Sequence, residues 1–202
     1  MKEKSVVREW IEAILIAVVL AFTIRAFVIQ AFKIPSGSMK PTLKVGDHIL
    51  VNKFIYGIAI PFTHKKILPF KKPQKGDIIV FICPVDRKKD YIKRVVGIEG
   101  DKLEIVDKKL YINGLLFDIP NAVNSDERIF PKNTQPRDNY GPMIIPEDSL
   151  FVMGDNRDES YDSRYWGLVH LKEVKGKAFI IYWSWDKFKQ RPRWKRIGDF
   201  IY

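Results

Sequence analysis

"DYIKRVVGIEGD", Asp90 to Asp101, forces a choice that shapes the reading of the whole chain. In a strand, Tyr91, Lys93 and Val95 fall on one face and Ile92, Arg94 and Val96 on the other. Each face is apolar and each carries one cation, so one of Lys93 and Arg94 points the same way as the strand's buried residues. Lysine is seldom buried, and a solvent-facing or edge position is the ordinary outcome for such a pair. A cation held inside for chemical work is the other. The neighbouring stretches share the strand character: "DHILVNKFIY" (47–56), "DIIVFICPV" (77–85), "KLEIV" (102–106), "SLFVMGD" (149–155) and "KAFIIYWSW" (177–185) are short, rich in Val, Ile, Phe and Tyr, and bounded by Gly, Pro, Asp and Lys. In "YINGLLF" (111–117) an Asn-Gly pair between apolar residues marks a tight hairpin. The pattern predicts an all-β domain, with no helical periodicity after Phe32. Residues 118–146 are rich in Pro, Asn and Asp, which suggests a long surface excursion or small insertion, bounded here at 110–146.

With 202 residues the chain has room for one sizeable core. A net charge of +11 suits nucleic acid or an anionic membrane surface equally well. Cys83, the only cysteine, excludes an intrachain disulfide and a cysteine zinc site, and its apolar flanks read as core. His48, His64 and His170 show no ligand spacing, so no metal is expected. Residues 10–32, "WIEAILIAVVLAFTIRAFVIQAF", are apolar without interruption from Ala13 to Phe22 and mostly apolar to Phe32. Their length suits an uncleaved transmembrane anchor. A cleaved signal peptide competes, since Lys2, Lys4 and Arg8 precede the run, but no small-residue cleavage signal follows cleanly. Orientation stays open, because Arg25, Lys33, Lys40 and Lys44 balance the basic residues on the other side.

Two further stretches carry chemistry. In "IPSGSMKPTL" (34–43) Pro35 and Pro41 fix φ and favour an extended-and-turn path around Ser36, Gly37 and Ser38. "GDNRDESYDSR" (154–164) alternates acidic residues with Arg and Ser after a strand. Alone, the first is a linker turn and the second a solvated loop. A serine nucleophile needs a base, and no histidine lies in a convincing setting. A lysine serves if burial lowers its pKa toward neutrality.

Taken in order, "IPSGSMKPTL", "KGDIIVF", "DYIKRVVGIEGD", "GDNRDESYDSR" and "GKAFIIYWSWD" resemble the type I signal peptidases, the bacterial leader peptidases with a Ser/Lys dyad. The resemblance runs along nearly the whole chain. It implies a transmembrane helix followed by a mainly antiparallel all-β catalytic domain, a β barrel or sheet fold with a small insertion. It implies a membrane-anchored serine endopeptidase that removes signal peptides from exported preproteins after small residues at −1 and −3, of the Ala-x-Ala type. Ser38 would be the nucleophile and Lys93 the general base. The Ser38 N–H and the Ser36 hydroxyl would form the oxyanion hole, Ser160 would orient the lysine, and Asp162 with Arg164 would support the site. Phe32, Ile34, Pro35, Met39, Leu43, Ile49, Val80, Asp90, Tyr91 and Ile92 would line shallow pockets for the −1 and −3 side chains. One departure is visible: Glu159 stands where family members commonly have Asn.

The expected organisation is a short cytoplasmic N-terminus (1–9), an anchor (10–32), and a catalytic domain (33–202) on the outer face of the cell membrane. No cofactor and no nucleic acid are implied. The partners are preprotein signal peptides and membrane lipid, the latter met by the anchor and by aromatic and basic residues of "YWSWDKFKQRPRWKRIGDFIY" (182–202). The basic stretch "IYGIAIPFTHKKILPFKK" (55–72) would add to that surface. Three other readings remain open. A self-cleaving transcriptional repressor would share the dyad but carry a DNA-binding helical module in place of the anchor. A peptidase specialised for pilus or conjugation substrates would keep both anchor and dyad. A membrane-tethered binding protein would hold a degenerate site.

Overall fold

Lys93 and Arg94 are both buried, on opposite faces of one strand. That strand is interior, with partners on both edges and a core on each face. A computed structural model describes residues 6–59, 66–67 and 71–202. Helix α1 (Val6–Phe27) leads into β1 (Ile29–Lys33), followed by β2 (Asp47–Asn52), β3 (Ile58–Ala59), β4 (Lys66–Ile67), β5 (Ile78–Ile82) and β6 (Asp90–Gly97). Next come β7 (Lys102–Val106), β8 (Lys109–Ile112), β9 (Leu115–Leu116) and β10 (Tyr140–Ile144). The chain then makes β11 (Ser149–Met153), a short helix α2 (Ser163–Trp166), β12 (Val169–His170), β13 (Val174–Asp186) and β14 (Arg191–Pro192).

The main sheet has the order β1-β2-β13-β5-β6-β11-β12, with β14 paired to β13. All of its pairs are antiparallel, so the expected mainly antiparallel β domain is what the chain forms. Period-two burial is plain in β5: Ile78 and Val80 join the core beneath β2 and β13, whereas Ile79 and Phe81 join the core on the opposite face with Val95, Val152 and Val174. Cys83 is buried just beyond that strand.

A smaller sheet, β10-β7-β8-β9, takes up much of the stretch 110–146 and leaves residues 117–139 as the excursion between its strands. Its β8–β9 turn is Asn113-Gly114, with φ of 54° and 82°, the left-handed pair that a two-residue hairpin needs. The β7–β8 turn takes the same form at Asp107 and Lys108 (φ 48° and 68°), without a glycine to signal it.

The N-terminal region departs from expectation. The anchor expected over residues 10–32 is not one apolar span: the helix ends at Phe27, and Ile29–Lys33 pair with β2 from Ile29↔Asn52 to Lys33↔His48. Among the described residues no helix is long and apolar enough to cross a membrane. Arg8, Glu9 and Glu12 interrupt its opening turns and Arg25 its end. The uninterrupted run Ala13–Phe22 spans about 15 Å, roughly half of a bilayer's hydrocarbon core. Its apolar side chains are nevertheless exposed, Ile14, Leu15, Val19 and Phe22 among them. Half of the basic stretch expected at 55–72, residues 60–65 and 68–70, lies outside the described residues.

Candidate active site

Ser38 sits on a turn that the core holds from below. Ile34 pairs with the start of β2 (Ile34 N–H to Asp47 O, 2.8 Å; Gly46 N–H to Ile34 O, 3.1 Å), and Met39 and Leu43 are buried. With its neighbours fixed on both sides, the Ser38 hydroxyl faces the Lys93 side of β6. Lys93 Nζ is hydrogen-bonded to Ser38 Oγ at 2.7 Å. As an ammonium it donates; as an amine its lone pair can accept. Ser36 Oγ lies 3.5 Å from Ser38 Oγ.

The lysine's surroundings set its protonation. Lys93 is only 5% exposed, and burial pushes its ammonium down to about 8 against the pull of the Asp162 carboxylate, with Arg164 adding to the fall. Asp162 is buried too. Burial alone would raise its carboxyl, but Arg164 beside it holds it below its ordinary value. The two form a two-point pair, Arg164 Nε to Asp162 Oδ1 and Nη2 to Oδ2, each 2.8 Å. Asp162 also accepts the N–H of Gly154 at 3.0 Å and caps α2.

The loop 154–160 locks onto the turn that carries Ser38. Asn156 N–H donates to Ser38 O (3.1 Å), and Asn156 Nδ2 to Gly37 O (3.4 Å). Thr42 Oγ1 donates to Asp155 Oδ2 at 2.5 Å, and Asp155 takes both Nε and Nη2 of Arg94 at 2.7 Å. Arg94 Nη1 donates further to the carbonyls of Gly76 (2.7 Å) and Tyr202 (2.9 Å). A Cβ on Gly154 would meet Ser160 Oγ and Ser38 O at once, so only glycine fits there. Ser160 Oγ is buried and has no hydrogen-bond partner among the described residues.

The Ser38 hydroxyl is thus hydrogen-bonded to a buried lysine, with Ser36 beside it and the Gly154-Asp155-Asn156 loop pinned behind it. The family described as "Signal peptidase, peptidase S26" matches residues 7–183. The chain belongs to the signal peptidase family. It is 40% identical over 210 residues to "Signal peptidase I" of Pseudomonas fluorescens, covering 89% of this chain and 74% of that protein. It is 33% identical over 189 residues to "Signal peptidase I P" of Bacillus subtilis subsp. natto, covering 93% of this chain and 95% of that one. A solved signal peptidase I from Enterococcus faecalis is 34% identical, with a TM-score of 0.43 over 53% of this chain and 97% of its own. Membership in the signal peptidase family makes the chain a serine peptidase.

The residues expected to bind substrate divide in two. A cleft of about 500 Å³ beside the dyad is lined by Pro35, Asp90, Tyr91 and Ile92, as well as Ser36, Ser38 and Lys93. Ile34, Met39, Leu43, Ile49 and Val80 are instead buried in the core beneath it, with Phe32 packed half-buried against them. They support the floor of the site and do not line the cleft. Gly37, Lys89, Glu159 and Tyr161 do line it and were not expected to. Gly154, Asp155 and Asn156 also escaped the sequence reading of this site, although they stand in the same motif as Ser160. The alternation of charged and small residues marks the loop without saying which of them turn inward.

Proposed function

We propose that the chain removes N-terminal signal peptides from exported preproteins, with Ser38 as nucleophile and Lys93 as general base. The observation that carries this reading is the 2.7 Å contact between Lys93 Nζ and Ser38 Oγ, made by a lysine whose burial brings its pKa to about 8. In the first half-reaction Ser38 Oγ bonds to the scissile carbonyl carbon while its proton passes to Lys93 Nζ. The oxyanion is received by the Ser38 N–H and the Ser36 hydroxyl. Collapse breaks the C–N bond, and the Lys93 ammonium gives its proton to the leaving amine. Lys93, neutral again, then takes a proton from the water that attacks the acyl-enzyme, and Ser38 departs with it. Ser160 aims the amine, while Asp162 and Arg164 hold the loop that carries Ser160.

The substrate lies extended along the β6 edge of the cleft, and small side chains at −1 and −3 fit its shallow apolar wall. Membrane lipid is the second partner. It is met by the exposed apolar side chains of α1 and by Phe188, Trp194, Phe200 and Tyr202, which are exposed among Lys and Arg residues. The domain then works at the outer face of the cell membrane, where signal peptides emerge.

Incubating one preprotein in detergent with the wild type or with Ser38→Ala tests the proposal. The wild type is expected to release the signal peptide after an Ala-x-Ala sequence, and Ser38→Ala to release none. Equal processing by both, or cleavage elsewhere in the preprotein, overturns it.

A further inference from the structure

The charges around the cleft are not used up by the dyad. Lys89, Asp90, Lys93 and Glu159 all stand on its wall. Lys89 is paired with Asp86 at 2.7 Å, and Asp90 with Lys175 at 2.7 Å, so these two contribute little net field. Lys93 meets the incoming substrate as the neutral amine. Glu159 is exposed, and among the described residues it has no ion-pair partner; its Oε2 accepts one hydrogen bond, from Asn156 Nδ2 at 2.9 Å. In its working state the cleft therefore carries one uncompensated charge, the Glu159 carboxylate.

We infer that Glu159 selects substrates with a cationic side chain beside the scissile bond. The inference rests on the peptidase reading above and adds a determinant to it. In an extended peptide, successive side chains point to opposite sides. If −1 and −3 face the apolar wall, −2 and +1 are directed away from it, and one of them meets Glu159. A Lys or Arg there gains an ion pair at the rim of the site, whereas an acidic residue is repelled.

The test uses the full chain in detergent and peptides with Ala at −1 and −3 and Lys, Gln or Glu at −2 or at +1. At one of these positions Lys should raise kcat/KM about three- to fivefold over Glu at low salt, the range of an exposed ion pair. The ratio should shrink in high salt as the charges are screened. Glu159→Gln keeps an oxygen for Asn156 Nδ2 and should bring the ratio close to one, Glu159→Asp should retain it, and Glu159→Lys should invert it. The same Lys-to-Glu ratio in wild type and Glu159→Gln at both positions overturns the inference and leaves the peptidase reading standing. Loss of all cleavage in Glu159→Gln overturns it as well, since Glu159 would then hold the loop and not read charge. If the wild type fails to cut even the Gln peptides, the peptidase reading itself falls and takes the inference with it.

Discussion

The backbone N–H of Asn156 donates to the carbonyl oxygen of Ser38, 118 residues earlier in the chain, at 3.1 Å. The peptide group of Ser38 is thus held by the loop that leads to Ser160. Gly154 makes that contact possible, because a side chain there would collide with both Ser38 O and Ser160 Oγ. Gly154→Ala should move the two apart and lower kcat by roughly a hundredfold, the cost of a displacement of about 1 Å in a catalytic site. Far-ultraviolet circular dichroism should stay unchanged. Near-normal kcat in that variant would mean that the loop and the Ser38 turn adjust independently.

Activity should follow the titration of Lys93. With burial pushing this lysine down to about 8, kcat/KM on a neutral peptide should climb through a limb near that pH and level off above it. The amine, present above the pKa, is the working form, so acid removes activity. Lys93→Arg keeps a cation that cannot give up its proton and should lose at least about 10⁴-fold, as should Lys93→Ala. A rising limb found only near the free-lysine value of about 10.4 would exclude Lys93 as the base.

Arg94 is expected to act through stability. Its pair with Asp155 is buried, and Asp155→Ala leaves a guanidinium inside without its carboxylate, at a cost of about 3–5 kcal/mol in urea unfolding. Arg94→Lys retains the charge but cannot reach both carboxylate oxygens and two carbonyls. It should lose about 1–3 kcal/mol and keep most of the turnover. Abolished turnover with unchanged unfolding would instead give Arg94 a direct part in the chemistry.

Acid should weaken the fold through Asp162. Its folded carboxyl titrates below its ordinary 3.8, so the pair with Arg164 contributes fully above that value. The contribution disappears as pH falls through the depressed folded pKa. The gap in urea midpoint between wild type and Asp162→Asn should therefore be wide at neutral pH and narrow progressively below about pH 4. A gap that stays constant into acid would mean that the carboxyl is not depressed in the folded chain.

What the sequence disclosed depended on range. The alternation through Lys93 and Arg94 announced a strand with a cation on each face. That both cations are buried follows from β5 and β11 flanking β6 and from cores on both faces, which no local pattern records. The Asn113-Gly114 turn was legible because left-handed φ favours that pair; Asp107-Lys108 adopts it without such a signature. Ile34, Met39, Leu43, Ile49 and Val80 could not be told from pocket walls, since apolar residues look alike in sequence whether they line a cleft or lie beneath it. The apolar run was followed too far, to Phe32, because Ile29–Lys33 is apolar enough to continue a helix and becomes a strand only by pairing with β2. Asn156 reaches Gly37 across 119 residues, a contact that exists only after folding.

β13 lies between β2 and β5, so residues 174–186 are what joins the Ser38 side of the sheet to the Lys93 side. On the ribosome the chain is read in the other order: Ser38 and Lys93 emerge early, each on a piece of sheet with an open edge, and the strand that unites them comes much later. Until Asp186 has been made, the chain cannot complete the sheet that brings Ser38 and Lys93 together.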